Sequence, residues 1–378
     1  MLNRAPVAEH DSWLALDAAW GCPNDCGYCF LRGSGLTGVP LRLDFPLDGA
    51  LRDRLAEALR RCPGDVPVSI GNTTDLLLSP ESRAILYRAA GLVAELDPGR
   101  TIVMITKAEI TDRIAKEAAE AAGGHGLIFL SQSFAKEYDR RVERGRTASP
   151  EGTYRSFARI AKTEGLTGVH FWRPFLRRWN PADQMALRVR RLKDSGCLCS
   201  VVIGLKGGRH LLPACSAELR AWAEPELSLA ALPGEEWVSR EGLEELRSLA
   251  AEADYPLFRH TSCAAALARG RPDINGTSLS GSTRAYCRAA SCPEGQRAVC
   301  ARDPLLQAGR EELLGLVRRY AGEIQVDIGE DVIIRGEIGE YAYNHLAHVL
   351  HRRPLAYAVR PQMVWRESKD GGGNHAAE

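Results

Sequence analysis

The sequence predicts an α/β fold built on a parallel sheet, and two observations support this class. Six apolar runs alternate with helical segments in the first two hundred residues, at 13–20, 66–71, 101–106, 126–131, 167–172 and 199–204. The runs are apolar at successive positions, which is typical of strands that are covered on both faces. Consecutive β–α units require right-handed crossovers, and they give either a doubly wound sheet or a barrel.

Helices are predicted between these strands, at 48–62, 80–96, 111–122, 150–164 and 181–195. Three of them begin with a capping residue that is followed by proline: Ser79-Pro80, Ser149-Pro150 and Asn180-Pro181. Proline suits the first helical position because the N–H group that it lacks would have no helical partner there. We therefore expect Ser79, Ser149 and Asn180 to cap their helices.

The pattern changes after about residue 205, which predicts a domain of residues 1–212 and an extension of residues 213–366. The extension has helical patterns at 239–252, 304–321 and 339–352, and short strand patterns at 324–328 and 332–335. Its segment 256–303 is rich in Gly, Ser, Arg and Cys and shows little periodicity. Residues 367–378 are predicted to form a disordered tail.

Composition narrows the class of protein. The 378 residues are 45% hydrophobic, which suits a folded core, and they carry 49 basic and 48 acidic side chains. A net charge of +1 does not favour binding to nucleic acid through bulk electrostatics, although a local basic stripe stays open. No run reaches the roughly 18 apolar residues of a membrane span, and the N-terminus has no apolar signal core. We therefore expect a cytoplasmic protein with no membrane partner.

The eleven cysteines are the most informative feature, because a chain with no export signal is not expected to build a disulfide framework. Cys22, Cys26 and Cys29 follow the first predicted strand within eight residues. Four-iron clusters take cysteine thiolates, normally one for each iron, so three local cysteines leave one iron open for catalysis. The alternative is a zinc site that a remote His or Cys completes.

The triplet resembles the C-x3-C-x-Φ-C signature of the radical S-adenosylmethionine (SAM) superfamily, with Tyr28 as the aromatic residue Φ. This resemblance implies that Cys22, Cys26 and Cys29 hold a [4Fe-4S] cluster. The amino and carboxylate groups of SAM would chelate the fourth iron, and reduction would cleave SAM to methionine and a 5′-deoxyadenosyl radical. It also implies that Tyr28 lies against the adenine.

Polar residues follow the next four predicted strands, and functional groups of β/α barrels gather at such strand ends. The segments GNTTD, ITK, SQS and ERGRTASPE, within residues 12–205, resemble the spore photoproduct lyase-like branch of the superfamily. The resemblance implies a partial (β/α)6 barrel of the TIM type with a smaller cysteine-rich α+β C-terminal extension. It implies SAM contacts from Thr73, Thr74, Asp75, Lys107, Ser131 or Ser133, and Arg173.

A second set of cysteines, Cys263, Cys287, Cys292 and Cys300, lies in the irregular segment 256–303. Four thiolates suffice for a tetrahedral zinc site or a fully ligated [4Fe-4S] cluster, and a metal would help to fold a segment with so little apolar periodicity. Such a set in a radical SAM enzyme implies an auxiliary cluster, which we favour over zinc and over cysteines that bind no metal. Cys215 is a possible replacement ligand.

Cys197 and Cys199 are weak catalytic candidates. They alternate along the sixth predicted strand, so we expect them on one face, from which a thiol could donate hydrogen to a product radical. Ordinary burial is the alternative.

Two groups of aromatic side chains are weighed as functional and as structural. His170, Trp172 and Trp179 flank the end of the fifth strand and could line a substrate cavity, although large aromatic residues there more often belong to the core. His345, His348 and His351 are spread over more than one face of their helix, so no metal site is expected from them.

The sequence therefore predicts a radical SAM enzyme, and the substrate stays open. Near-neutral charge and the added cysteines favour biosynthetic tailoring of a small molecule, such as a sugar or nucleoside, or of a peptide. The alternatives are repair of a nucleic-acid lesion, as in spore photoproduct lyase, and a zinc-binding module without redox chemistry. An external one-electron reductant of the flavodoxin or ferredoxin type is expected as a partner.

Overall fold

The computed structural model describes residues 5–206, 213, 215–227, 236–275, 287–301, 325–328, 332–350 and 355–360. Eight strands form the main sheet in chain order: Val7–His10 (β1), Trp13–Leu16 (β2), Val68–Ile70 (β3), Ile102–Thr106 (β4), Gly126–Ser131 (β5), Leu166–Trp172 (β6), Ser200–Val202 (β7) and Leu257–Phe258 (β8). Strand β1 is antiparallel to β2, and β2 to β8 are all parallel. The predicted partial barrel is confirmed, with one more parallel strand than expected.

Five helices connect the parallel strands from β2 to β7. They are Gly49–Arg61 (α1), Pro80–Leu96 (α2), Asp112–Ala121 (α3), Pro150–Ala161 (α4) and Ala182–Asp194 (α5). The Ser79 and Ser149 hydroxyls cap α2 and α4, as predicted, by accepting from backbone N–H groups in the first turn. The prediction for Asn180 is wrong: Pro181 is the N-cap of α5, and the Asn180 side chain bonds the Leu176 carbonyl instead.

The extension contains five further described helices: Ala217–Leu227 (α6), Arg240–Glu252 (α7), Thr261–Arg269 (α8), Glu294–Cys300 (α9) and Glu340–Leu350 (α10). The segment 256–303, which was expected to be irregular, therefore supplies β8, α8 and α9. Strands Gln325–Ile328, Val332–Gly339 and Leu355–Arg360 form a separate sheet. The predicted helix at 304–321 and the tail at 367–378 lie outside the described residues, and the boundary at residue 212 stays a prediction.

Alternate residues of the parallel strands face two different apolar clusters. On one face, residues such as Leu16, Met104 and Leu130 pack against the connecting helices. On the other face, residues such as Val103, Phe129 and Val169 pack with Ala264 and Ala265 of α8. Helix α8 therefore covers the concave face of the sheet, and both faces are buried as the apolar runs predicted.

Three short antiparallel pairs connect loops at the ends of the strands. They join Ala19–Trp20 to Arg42–Leu43, Asp25–Cys26 to Glu143–Arg144, and Leu205–Lys206 to Glu236–Trp237. The second of these pairs fixes the cysteine loop to a segment that follows β5. Within the described residues, no helix is long and apolar enough to cross a lipid bilayer.

His170, in the middle of β6, is fully buried and belongs to the core, as expected. Its Nε2 donates to the Gln132 carbonyl over 3.2 Å, and its Nδ1 lies 3.0 Å from the Ser200 hydroxyl. Burial lowers the pKa of His170 to about 3, because the site offers no counter-charge to an imidazolium.

This neutral histidine predicts a loss of stability in mild acid. Between its ordinary pKa near 6.5 and the folded value, the unfolded chain binds a proton that the folded chain does not, so stability falls as pH falls through that window. Below pH 6.5, the free energy of unfolding of the wild type should fall by up to about 1.4 kcal/mol per pH unit more than that of His170→Gln. The glutamine in this variant keeps a donor for the Gln132 carbonyl. Denaturant titrations at pH 7.5, 6.0 and 5.0 measure this difference. Parallel curves for the two proteins would contradict it.

Candidate functional site

The cysteine loop follows β2 and is held by backbone hydrogen bonds from both sides. Cys22 N–H donates to the Leu36 carbonyl over 2.8 Å, and Gly27 N–H donates to the Val142 carbonyl over 2.7 Å. Cys29 is the N-cap of the short 3-10 helix Phe30–Ser34. Cys26 is buried, whereas Cys22 and Cys29 are partly exposed. The loop thus presents three thiols from a fixed backbone.

Two glycines make this loop possible. Gly21 has a φ of +88°, and a Cβ there would lie 2.6 Å from the Pro40 carbonyl oxygen. Gly27 lies so close to Ser216 that a Cβ would come within 2.4 Å of its hydroxyl oxygen. Larger residues would therefore displace the loop that carries the cysteines.

The three thiols lie in a buried setting with cations nearby. Burial raises the pKa of each thiol, to about 12 for Cys22, because it disfavours the thiolate. Lys107 opposes that rise at Cys26, and Arg173 and Lys107 oppose it at Cys29. A bound metal would supply the positive charge that stabilises the thiolates, so the donor set fits a thiolate-ligated metal centre.

Glu143 is the centre of a buried polar network beside the loop. Its carboxylate accepts from the Tyr28 hydroxyl over 2.5 Å, from Lys107 Nζ over 2.8 Å and from the Ser133 hydroxyl over 3.2 Å. Burial would raise the pKa of Glu143, but Lys107 outweighs that effect and holds it below its usual range. Burial likewise would lower the pKa of Lys107, yet Glu143 and Cys26 keep it raised. The pair is therefore charged.

A cavity of about 130 Å³ opens beside the cysteines, and polar residues from several strand ends line it. Arg173 crosses its wall, with the guanidinium 5.2 Å from the Phe30 ring centre and 5.3 Å from that of Phe171. We call it the smaller cavity. Its lining includes Cys22, Cys26, Tyr28, Cys29, Thr74, Asp75, Lys107, Ser131 and Arg173.

Two residues predicted for this site are placed elsewhere. Ser133 is fully buried and is not among the described lining residues of the smaller cavity, because its hydroxyl bonds Glu143 instead. Thr73 lines a neighbouring cavity, where its buried hydroxyl lacks a hydrogen-bond partner among the described residues.

Asp75 lies at the wall of the smaller cavity and is already well bonded. Its carboxylate accepts from the Thr106 hydroxyl and the Lys107 backbone N–H, each over 2.7 Å, and from the Leu77 N–H over 3.2 Å. Burial still raises the pKa of Asp75 above its usual value. Asp75 therefore anchors the end of β4 next to the cysteines.

A larger cavity of about 620 Å³ adjoins the smaller one, and Phe30, Ile105, Phe171 and Arg173 border both. Its wall combines aromatic rings, including Trp13 and Trp20, with side chains of both charges. The basic ones are Arg173, Lys206, Arg240, Arg247 and Arg259, and the acidic ones are Glu9, Asp11, Asp17, Glu244 and Glu340. Burial raises the pKa of Asp17 to about 6. The volume lies in the range of cavities that hold a drug-sized ligand.

The second set of cysteines gathers under the concave face of the sheet. Cys287 and Cys292 flank a turn in which Cys292 N–H donates to the Cys287 carbonyl. Burial raises the pKa of both thiols, with a further contribution from Cys300 to each and from Cys287 to Cys292. Cys300 Sγ accepts from Gln296 Nε2 over 3.2 Å. Cys263, on α8, belongs to the same apolar cluster as Cys292. The four cysteines predicted as ligands thus belong to one region of the extension.

The expectation that Cys197 and Cys199 face the same way is wrong, because β7 begins only at Ser200. Cys197 packs among the connecting helices and bonds the Tyr255 hydroxyl, whereas Cys199 packs with Phe129 and Cys292 on the concave face. Neither lies among the described residues that line the two cavities. These contacts favour ordinary burial of the two cysteines over hydrogen donation to a product radical.

Cys215, which was considered as a replacement ligand for the second set, lies near the first. Cys215 packs with Cys26 and Tyr28. Burial raises the pKa of the Cys215 thiol to about 11, and Cys29 contributes to the rise. It is not among the described residues that line the smaller cavity. The sequence could not show this proximity, because residue 215 is far from the triplet in the chain.

The buried ion pair predicts a large effect of Glu143→Gln on stability. The change would leave the Lys107 ammonium buried without its carboxylate, which costs about 3–5 kcal/mol in comparable sites. The exposed pair of Glu151 with Arg191 supplies a matched control, because Glu151→Gln should cost under about 1 kcal/mol. Denaturant unfolding of the two variants measures the difference, and equal costs would contradict the role given to Glu143.

No protein-family model matches the chain, and comparison with curated proteins gives no match. Solved structures of spore photoproduct lyase are similar to it. A mutant with bound AdoMet and dinucleoside spore photoproduct has 18% identity and a TM-score of 0.49, covering 68% of this chain and 80% of that one. A complex with dinucleoside spore photoproduct has 17% identity, with the same TM-score and coverage. The likeness is one of fold, over about two thirds of this chain.

Proposed function

We propose that this protein is a radical SAM enzyme whose cluster is held by Cys22, Cys26 and Cys29. The observation that carries the proposal is that these three thiols line one cavity together with the polar ends of the parallel strands. They are the cysteines among the described lining residues, so the donor set leaves one iron of a [4Fe-4S] cluster open. When bound, that cluster would supply the electron that cleaves SAM and starts hydrogen abstraction from a substrate.

The chain's own residues would position SAM in the smaller cavity. Tyr28 offers a ring that is fixed by its hydroxyl bond to Glu143, which suits contact with the adenine. Lys107 and Arg173 place two cations near the cavity for the SAM carboxylate. Thr74, Asp75 and Ser131 supply oxygens for its amino group and ribose. Thr73 is proposed as a substrate contact instead, because it faces the larger cavity.

The second set of cysteines is proposed to hold a fully ligated auxiliary [4Fe-4S] cluster. Cys263, Cys287, Cys292 and Cys300 are four donors, and none is among the described residues that line the smaller cavity. Full ligation would suit electron transfer or a structural role rather than substrate binding. Zinc is the competing occupant, since four thiolates also satisfy its tetrahedral geometry.

The larger cavity offers aromatic rings and arginines to a substrate, beside acidic side chains in equal number to the Lys and Arg residues. Trp13, Trp20 and Phe171 offer aromatic faces, and Arg240 and Arg247 of α7 add positive charge at the wall. Bases stack on aromatic side chains, and phosphates bind arginine, so the rings and arginines of this lining suit a nucleic-acid lesion. We therefore favour repair of a nucleic-acid lesion, the alternative from the sequence, over biosynthetic tailoring. The external reductant and the cytoplasmic location stay predictions.

Iron content separates the two proposed clusters. After anaerobic reconstitution, the wild type should contain about eight irons per chain, because each [4Fe-4S] cluster holds four. Cys287→Ala/Cys292→Ala should keep about four irons and still produce 5′-deoxyadenosine with dithionite and SAM. Cys22→Ala/Cys26→Ala/Cys29→Ala should produce none. Iron and sulfide assays with chromatography of the products measure both.

Cys215→Ala is the matched control for these variants, because it removes a thiol near the triplet that is not proposed as a ligand. It should keep the iron content and the 5′-deoxyadenosine yield of the wild type. Loss of the first cluster in this variant would make Cys215 a fourth ligand and would exclude the open iron. Production of 5′-deoxyadenosine by the triple variant would also refute the assignment.

The proposed substrate predicts binding to DNA that weakens with salt. Arg240→Ala/Arg247→Ala should lower the affinity for a duplex and reduce the slope of log affinity against log salt by about two, one for each lost phosphate contact. Arg113→Ala/Lys116→Ala, on the exposed face of α3, is the control and should change neither. Fluorescence anisotropy at several salt concentrations gives both quantities. No binding at low salt would return the preference to a small molecule or a peptide.

A further inference from the structure

Three metal-binding side chains converge at a place that the proposed function does not use, and a fourth contacts one of them. Glu9 of β1 lies against His345 and His348 of α10, and Cys62 follows the last residue of α1. The Glu9 carboxylate lies 2.6 Å from His348 Nδ1 and contacts His345 Nδ1 with its other oxygen. Cys62 Sγ is 4.0 Å from Glu9 Oε2. Donor atoms of Glu9, Cys62 and His348 all lie within 4.8 Å of one another.

The cluster is enclosed by protein. His348 is 0% exposed and Cys62 is 4% exposed, and the Glu9 side chain is mostly covered. His348 Nε2 is buried without a hydrogen-bond partner among the described residues. Charged and polar donors in such a setting need either exact pairing or a cation to offset their loss of water.

We propose that Glu9, Cys62, His345 and His348 bind one zinc ion. One sulfur, two imidazole nitrogens and one carboxylate oxygen form a four-donor set that zinc accepts in tetrahedral geometry. Zinc bonds of about 2.0–2.3 Å place neighbouring donor atoms roughly 3–4 Å apart. The Cys62–Glu9 separation already fits this range, and the Glu9–His348 contact would widen by less than about 1 Å. His345 lies outside this group of three and contacts the other Glu9 oxygen, so its imidazole would move toward the ion.

The two histidines share one face of α10, contrary to the expectation from the whole triplet. His345 and His348 are three residues apart, which brings both imidazoles to the side that faces β1, where Asn344 also bonds the Glu9 carbonyl. His351 lies outside the described residues. The spacing of the three histidines therefore did not show that two of them contact Glu9, which lies near the N-terminus of the chain.

The ion would fix one wall of the larger cavity. Glu9 and His10 of β1 and Glu340, Tyr341 and Asn344 of α10 all line that cavity. Coordination by residues from β1, α1 and α10 would hold the C-terminal helix against the barrel. The site is thus structural, and the ion that it holds is a cation of the zinc class, which is intermediate between hard and soft, rather than an iron–sulfur cluster.

The test is metal analysis with zinc K-edge X-ray absorption on the full chain, after anaerobic reconstitution of the iron–sulfur sites and incubation with zinc sulfate. The wild type should contain one zinc per chain, with one sulfur at about 2.3 Å and three nitrogen or oxygen neighbours at about 2.0–2.1 Å. Cys62→Ala/His348→Gln should lose this zinc. The control Cys287→Ala/Cys292→Ala should retain it with an unchanged spectrum.

Two results would overturn the proposal. The first is wild-type protein without stoichiometric zinc after incubation with zinc sulfate, which would leave a proton as the only occupant between Glu9 and the histidines. The second is zinc with four sulfur neighbours that is lost in Cys287→Ala/Cys292→Ala. The wild-type spectrum decides between one and four sulfurs without any variant, so a poorly folded Cys62→Ala/His348→Gln does not weaken the test.

Discussion

The buried carboxylate of Glu143 determines how the candidate site is arranged. It is the common acceptor for Tyr28 from the cysteine loop, Lys107 from the end of β4 and Ser133 from the segment after β5. Such a carboxylate is costly to bury, so its three donors must stay in place for the chain to fold. Because the backbone of Glu143–Arg144 also pairs with Asp25–Cys26, the cysteines are fixed relative to the strand ends. The same interaction thus stabilises the loop and orders the cavity beside it.

The fold places two cysteine sets on one sheet with different environments. The first set lies at the carboxyl ends of the strands, where it borders the smaller cavity. In the second set, Cys263 and Cys292 belong to an apolar cluster on the concave face that includes Phe129 and Phe171. Each set combines buried and partly exposed thiols, so burial does not separate them. The different roles proposed for the two sets follow from the cavity beside the first and from the fourth donor of the second.

The sequence predicted what depends on local pattern and missed what depends on distant contacts. The cysteine triplet and the residues that follow β3 to β6 were visible because short spacings and strand ends determine their positions. Glu143 was missed, since a single acid among the arginines of 140–146 carries no sign that it is buried. Strand β8 was missed because two residues are too few to show a period, and its pairing with β7 supplies the regularity. The cluster around Glu9 joins residues more than 300 positions apart, which no local pattern reports.

The most direct test of the account is electron paramagnetic resonance of the dithionite-reduced protein with and without SAM, recorded on Cys287→Ala/Cys292→Ala so that one cluster contributes. If one iron is open to the amino and carboxylate groups of SAM, adding SAM must change the g-values of the reduced cluster. The account predicts this change. A [4Fe-4S] signal that is identical before and after saturation with SAM would contradict it, because an iron that is ligated by a side chain has no position for SAM.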